Sequence, residues 1–170
     1  MTIRVATDDD VDAIRRVAER SWEVDYPAIL TRETIEAGVD DWYAPEQIAS
    51  ELVSARSQLL VAERDGDIVG FSHASWNDTD DEGYILRIYV DPDHRREGVG
   101  HELLERTRSE LVAQNVERIN AMVLAENEPG NDFYARSGFE LVGESETTIG
   151  GDTYREHRYA LDSDAEFDVD

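Results

Sequence analysis

Near the middle of the chain the hydrophobic period changes, from the two-residue alternation of a strand to the three-to-four-residue spacing of a helix. Residues 84–90 read Tyr-Ile-Leu-Arg-Ile-Tyr-Val, a strand. A ten-residue loop follows, Asp91-Pro92-Asp93-His94-Arg95-Arg96-Glu97-Gly98-Val99-Gly100. Residues 101–114 then place Leu103, Leu104, Thr107 and Leu111 on one face of a helix. A glycine-bearing loop between strand and helix exposes backbone N–H groups at the helix's positive end, where an anion such as a pyrophosphate can sit. Gly98 and Gly100 permit close approach, and Arg95 and Arg96 add fixed positive charge. Two glycines two apart also suit a plain tight turn. The loop has no Gly-Lys-Ser/Thr for a nucleoside-triphosphate cradle and no third glycine for a dinucleotide fingerprint.

The elements around this junction make an α/β chain. Residues 2–6 read as a short strand, and Thr7 followed by Asp8, Asp9 and Asp10 caps a helix whose apolar stripe is Val11, Ile14, Val17 and Ala18. Residues 21–41 give only turns and helical pieces. Pro45 opens another helix that runs to about Arg56. Residues 58–63 and 67–76 form a hairpin about Asp65-Gly66, and 77–83 is an acidic loop. Residues 118–124 return to strand, 128–137 form a short helix ended by Gly138, and two closing strands span 139–143 and 153–161 around a Gly150-Gly151 turn. Residues 1–161 make one domain, and 162–170 form an acidic tail expected to be mobile.

Composition removes whole classes of chemistry. The 170 residues hold no cysteine, which excludes disulfides, thiolate nucleophiles and cysteine zinc sites. No His/Asp/Glu spacing makes a metal site. No stretch approaches the ~20 apolar residues that span a bilayer, and the first residues lack the apolar run of a secretion signal, so the expected location is the cytoplasm. The 16 basic residues are all arginine and oppose 40 acidic ones, a net charge of −24. Such a field repels nucleic-acid phosphates and anionic membranes. Because the acidic residues are spread along the chain, they point to adaptation to molar salt, where a Debye length of ~3 Å screens self-repulsion. An acidic surface for a basic partner would concentrate the charge in one patch.

Several motifs occur in order at compact spacing: Leu86 to Pro92; Arg95, Gly98 and Gly100 in the form Arg-x-x-Gly-x-Gly; Asn127; and Phe133-Tyr134-Ala135-Arg136-Ser137-Gly138-Phe139. Together they resemble the GNAT superfamily of acyl-CoA N-acyltransferases, from residue 2 to about 161. The resemblance implies a single-domain α/β fold with a central mixed, mostly antiparallel sheet flanked by helices. It also implies transfer of the acetyl group from acetyl-CoA to a primary amine by direct attack on the thioester. Ile88, Tyr89 and Val90 would lie along the pantetheine arm. Arg96, Glu97, Gly98, Val99, Gly100 and His101 would cradle the pyrophosphate, Arg95 would join them in binding the coenzyme, and Asn127 would contact the coenzyme arm. Tyr134 would meet the thioester sulfur as general acid. The family splays two strands beside the coenzyme, where a backbone N–H near Val90 would polarise the thioester carbonyl.

The general base is the weak point of the match. Tyr84 stands about where many relatives carry a glutamate, leaving Glu82 as the base candidate, with His73 and Glu63 near it in sequence. The acceptor is an amine, either a small molecule or a peptide N-terminus, and Trp22, Tyr26, Trp42, Tyr43 and Trp76 are candidates for its pocket or for plain packing. A homodimer is a possible assembly. Two other classes remain open: an acyl-CoA-binding sensor without turnover, and an interaction domain in which the glycines serve only the turn.

Overall fold

The computed structural model describes residues 1–26, 29–77, 79 and 81–162. In chain order it contains β1 (Thr2–Val5), α1 (Val11–Asp25), α2 (Arg32–Trp42), α3 (Pro45–Leu52), β2 (Ser57–Arg64), β3 (Asp67–Asn77), β4 (Glu82–Val90), α4 (Val99–Ala113), β5 (Arg118–Leu124), α5 (Glu128–Arg136), β6 (Glu140–Ile149) and β7 (Asp152–Asp162). One seven-stranded sheet runs in the order β1-β2-β3-β4-β5-β7-β6. Every neighbouring pair is antiparallel except β4 and β5. The fold is therefore the mixed, mostly antiparallel sheet that the sequence implied. Among the described residues, no helix is long and apolar enough to cross a membrane.

Helices cover the two faces unequally. α1, α2 and α3 bury Ile14, Trp22, Ile35, Val39 and Ile48 against Leu59, Val61 and Phe71 on one face. α4 and α5 bury Leu104, Leu111 and Tyr134 against Ile85, Ile119, Ala121 and Tyr159 on the other. Trp22 is the hub of the first core, with the rings of Tyr26, Trp42 and Tyr43 edge-on at 5.2, 5.4 and 5.9 Å. Each such aromatic pair adds about 1 kcal/mol beyond its buried area.

Two hairpins have the turns their residues dictate. Asp65-Gly66 and Gly150-Gly151 all take positive φ, the signature of a two-residue turn whose twist matches the strands it joins.

Three sequence expectations change. The segment 21–41 is mostly helix: α1 continues through Ser21 and Trp22 to Asp25, and α2 begins at Arg32 behind Thr31, whose hydroxyl accepts from the Thr34 amide at 3.1 Å. Its signal is faint because Gly38 interrupts the apolar stripe. A Cβ there would stand 2.5 Å from the Trp22 ring, so glycine is what lets the two helices close. β6 runs to Ile149, not to 143, because its outer half alternates Glu144, Glu146 and Thr148 with Ser145 and Thr147, and an edge strand can carry polar residues on both faces. Asp162, placed in the tail by sequence, still pairs with Arg118 as the last residue of β7. The rest of that acidic segment, 163–170, lies outside the described residues.

Candidate active site

The parallel pair β4/β5 is short. Residues 82–85 of β4 pair with 118–121 of β5, and beyond Ile85 and Ala121 the strands part. A bulge explains the parting: Ile85 faces Ala74 of β3 and Arg87 faces His73, so Leu86 is one residue too many and bends β4 away from β5. Past the bulge, the β5-facing N–H and C=O groups of β4 have no ladder partner. The gap opens a cleft of about 590 Å³ that passes between the strands. Leu86, Ile88 and Val90 line one wall and Met122, Val123 and Leu124 the other.

At one mouth stands the N-terminus of α4. Gly98 caps the helix with φ 83°, and Arg96 also takes a positive φ, 65°. A non-glycine residue in that region costs about 1–2 kcal/mol, and here the bend turns consecutive amides toward the cleft. The Val99, Gly100 and His101 amides belong to the first helical turn and have no intrahelical acceptor. Gly100 packs closely, since a Cβ there would lie 3.3 Å from the Phe133 ring. β4 groups without a strand partner for amides, an apolar slot and an anion cradle together fit a coenzyme with a pantetheine arm and a pyrophosphate; the Val90 carbonyl is already taken by the Arg95 and Ser21 side chains, both at 3.3 Å.

α5 supplies the middle of the wall. Asn127 caps it, its Oδ1 accepting from the Gly130 amide at 3.2 Å, which leaves the side-chain amide N–H groups for other partners. Tyr134 is 5 % exposed, packed between Phe133 and Phe139 and stacked at 6.0 Å on Tyr159. No hydrogen bond to its hydroxyl is found among the described residues, and the residue lines the cleft. Burial, then the nearby Tyr89 phenol, push its pKa above the ordinary range. It therefore keeps its proton at physiological pH and has it available to donate.

The opposite mouth, on the α1–α2 face, holds groups the sequence did not single out. Thr147 of β6 and Glu156 of β7 line it together with Trp42 and Arg87. Glu156 stands opposite Leu124 in the β5/β7 register and accepts from the Ser145 hydroxyl at 3.3 Å. Arg87 is held from behind: its guanidinium lies 5.6 Å from the Trp42 ring centre and 5.1 Å from that of Tyr43, with Glu51 at 3.4 Å. No local signal marks Glu156, because Arg155-Glu156-His157-Arg158 reads as a solvated strand until strand register sets it beside the gap.

The structure brings most sequence candidates together. Ile88, Tyr89, Val90, Arg95, Arg96, Gly98, Val99, Gly100, His101, Asn127 and Tyr134 all line the cleft. Arg95 does so while committed to Asp25, at 2.5 and 2.9 Å, so it pins the loop to α1. Glu97 lies outside, paired with Arg64 and 3.5 Å from His94. Glu82 lies outside too, in a neighbouring groove of about 240 Å³, 3.3 Å from the Tyr84 hydroxyl. Glu63 pairs with Arg4 at 3.0 Å. His73 is buried behind Arg87, with Ser57 at 2.8 Å, and burial lowers its pKa to about 4. Of the aromatic candidates, Trp22, Tyr26 and Trp42 reach the cleft, Tyr43 is buried beneath it, and Trp76 packs at the edge of the other core.

Comparison with known proteins places the fold. The model of the acetyltransferase (GNAT) family matches residues 12–139. The chain is 27% identical over 161 residues to a spermidine N(1)-acetyltransferase of Thermoplasma acidophilum, covering 92% of this chain and 96% of that one. It superposes on the PaiA N-acetyltransferase of the same organism, solved with coenzyme A, with a TM-score of 0.79 and 25% identity over 93% of this chain and 98% of that chain. A GCN5-related N-acetyltransferase from Rhodopseudomonas palustris shares the fold, with a TM-score of 0.80 at 20% identity, covering 95% and 94% of the two chains. The chain belongs to the acetyltransferase (GNAT) family, whose members take the acetyl group they transfer from acetyl-CoA.

Proposed function

We propose that this acetyltransferase acylates a primary amine by direct attack in the β4/β5 gap, with Tyr134 serving the departing sulfur and Glu156 the attacking nitrogen. The observation that carries the reading is the gap itself. It joins an anion cradle at one mouth to a carboxylate at the other, past the buried Tyr134.

Acetyl-CoA, when bound, supplies the acetyl group as a thioester. The N-terminal turn of α4 and Arg96 hold its phosphate charge, and the free edge of β4 holds its amides. A β4 amide near Val90 polarises the carbonyl as negative charge grows on oxygen. Glu156 accepts the proton that the amine must lose. Tyr134 stabilises the leaving thiolate by donating a hydrogen bond. An ordinary phenol, at about 10, is already a weaker acid than a thiol at about 8.5, and burial weakens Tyr134 further, so the bond matters more than full proton transfer. The bonds balance: N–C forms, C–S breaks, and one proton passes from nitrogen to solvent through the carboxylate.

Glu82 supports a second reading of the base. Its contact with the Tyr84 hydroxyl, and Tyr84's place on β4, would let it draw a proton through the phenol from the side groove. The wider setting we infer is a cytoplasmic, salt-adapted protein, supported by the absence of lysine and the net charge of −24.

Tyr134→Phe and Glu156→Gln test these roles. The first should lower kcat by about a hundredfold with the acetyl-CoA dissociation constant changed less than about threefold. The second should lower kcat/KM by about a hundredfold with acetyl-CoA binding unchanged, and if only Glu82→Gln does so, Glu82 is the base. A Tyr134→Phe enzyme with unchanged kcat would remove the tyrosine from the chemistry.

A further inference from the structure

The groove beside the cleft is built from the same sheet face as the acceptor mouth. Met122 lines both cavities, and Arg158, directly opposite it in the β5/β7 register, lines the groove with Arg118. Arg158 folds across Gly143, where a Cβ would meet its Nη2 at 2.8 Å. Both side chains are exposed to solvent. Arg4, Arg15, Arg20, Arg64, Arg87 and Arg95 are each paired with a carboxylate. Among the described residues neither the Arg118 nor the Arg158 guanidinium has an ion pair or a hydrogen bond, although Glu82 stands opposite Arg118 in the β4/β5 register and the chain carries 24 more acidic than basic residues. Glu82 also faces the groove, so it holds two guanidiniums against one carboxylate.

Glu156 and Arg158 are two residues apart on one strand and point to the same face, roughly 7 Å from each other. A carboxylate in the reaction cleft and an unpaired guanidinium next to it form a bipolar receptor. Resting on the acetyl-transfer reading above, we propose that the acceptor is a small amine bearing a carboxylate, its nitrogen directed to Glu156 and its carboxylate held by Arg158 with Arg118 beyond it. A guanidinium binds a carboxylate through two parallel N–H donors, which fixes orientation as well as charge. A polyamine would bring a second ammonium toward the same arginines and be disfavoured.

The test compares amino acids, their decarboxylated amines and linear diamines of matched length, with release of free thiol from acetyl-CoA as the readout. The expected result is kcat/KM at least about tenfold higher for the carboxylate-bearing amines. Arg158→Ala should raise their KM by about tenfold or more, with the acetyl-CoA dissociation constant unchanged, and Arg158→Glu should shift the preference toward diamines. Arg118→Ala, read beside it with thermal midpoints, guards against a variant that merely fails to fold. Equal or better turnover of diamines by the unmodified enzyme overturns the inference and leaves the acetyltransferase reading standing. If no amine releases thiol, that reading fails, and calorimetry of an amino acid into the coenzyme-saturated protein still decides: saturable binding lost in Arg158→Ala supports the receptor, no binding refutes it.

Discussion

His73 makes the stability of this protein depend on pH between 6.5 and about 4. Its ring is 4 % exposed and sandwiched between Ser57 and the Arg87 guanidinium, the latter at 3.1 Å from Nδ1. Burial lowers its pKa first, and Arg87 lowers it further, while Glu51 at 3.6 Å from Nδ1 opposes both. The value falls from 6.5 to about 4. The sign follows directly. Above 6.5 the ring is neutral in folded and unfolded chains alike, but between 6.5 and about 4 only the unfolded chain binds the proton, so stability is lost as the pH falls through that window. At about 1.4 kcal/mol per pH unit the loss is about 3 kcal/mol, a large share of the ~5–15 kcal/mol typical of a whole domain. His73→Gln keeps an amide able to bond Ser57 and Arg87 but cannot titrate. Urea midpoints at pH 7, 5.5 and 4.5 in molar KCl should fall steeply for the native sequence and much less for the variant. Parallel pH dependence in the two proteins would refute the argument. The consequence reaches the cleft, because a protonated His73 would repel the arginine that lines the acceptor mouth.

Three further outcomes follow from other parts of the molecule. Gly38→Ala places a Cβ 2.5 Å from the Trp22 ring and 2.8 Å from Ile149, both buried, so despite alanine's helix preference it should cost about 1–3 kcal/mol, read as a lower thermal midpoint. Gly100→Glu should abolish acetyl-CoA binding in calorimetry while preserving the far-ultraviolet circular dichroism, because it fills the space before Phe133 and sets a like charge in the anion cradle. Lowering KCl from 1 M to 0.1 M lengthens the Debye distance from about 3 to about 10 Å. With a net charge of −24, the urea midpoint should fall accordingly, and a midpoint indifferent to salt would count against salt adaptation.

What the sequence made legible, and what it hid, follow from how local each signal is. The anion loop could be read because its glycines, arginines and helix start are neighbours in the chain, and Gly98 does take the positive φ its place requires. Tyr134 and Asn127 were found through their spacing in a motif, and both line the cleft. Arg95 shows the limit of spacing, since it lines the cleft while its charge is spent on Asp25, seventy residues away. Glu82 was the nearest carboxylate in sequence to the expected base position and lies in the side groove; of the two carboxylates that line the cleft, Asp25 is paired with Arg95, and Glu156 comes from β7 and arrives only through strand register. α2 stayed hidden because a helix that yields its central contact to Gly38 has half the apolar stripe of an ordinary one.

The most direct test of the central claim is a calorimetric titration of acetyl-CoA into the protein in molar KCl, followed in the same sample by free-thiol release on adding amines. The account predicts saturable binding at one site and amine-dependent release that Tyr134→Phe slows without weakening binding. Binding with no release across the amine panel would contradict the catalytic reading, and no binding by the folded protein would contradict the assignment of the β4/β5 gap as the coenzyme site.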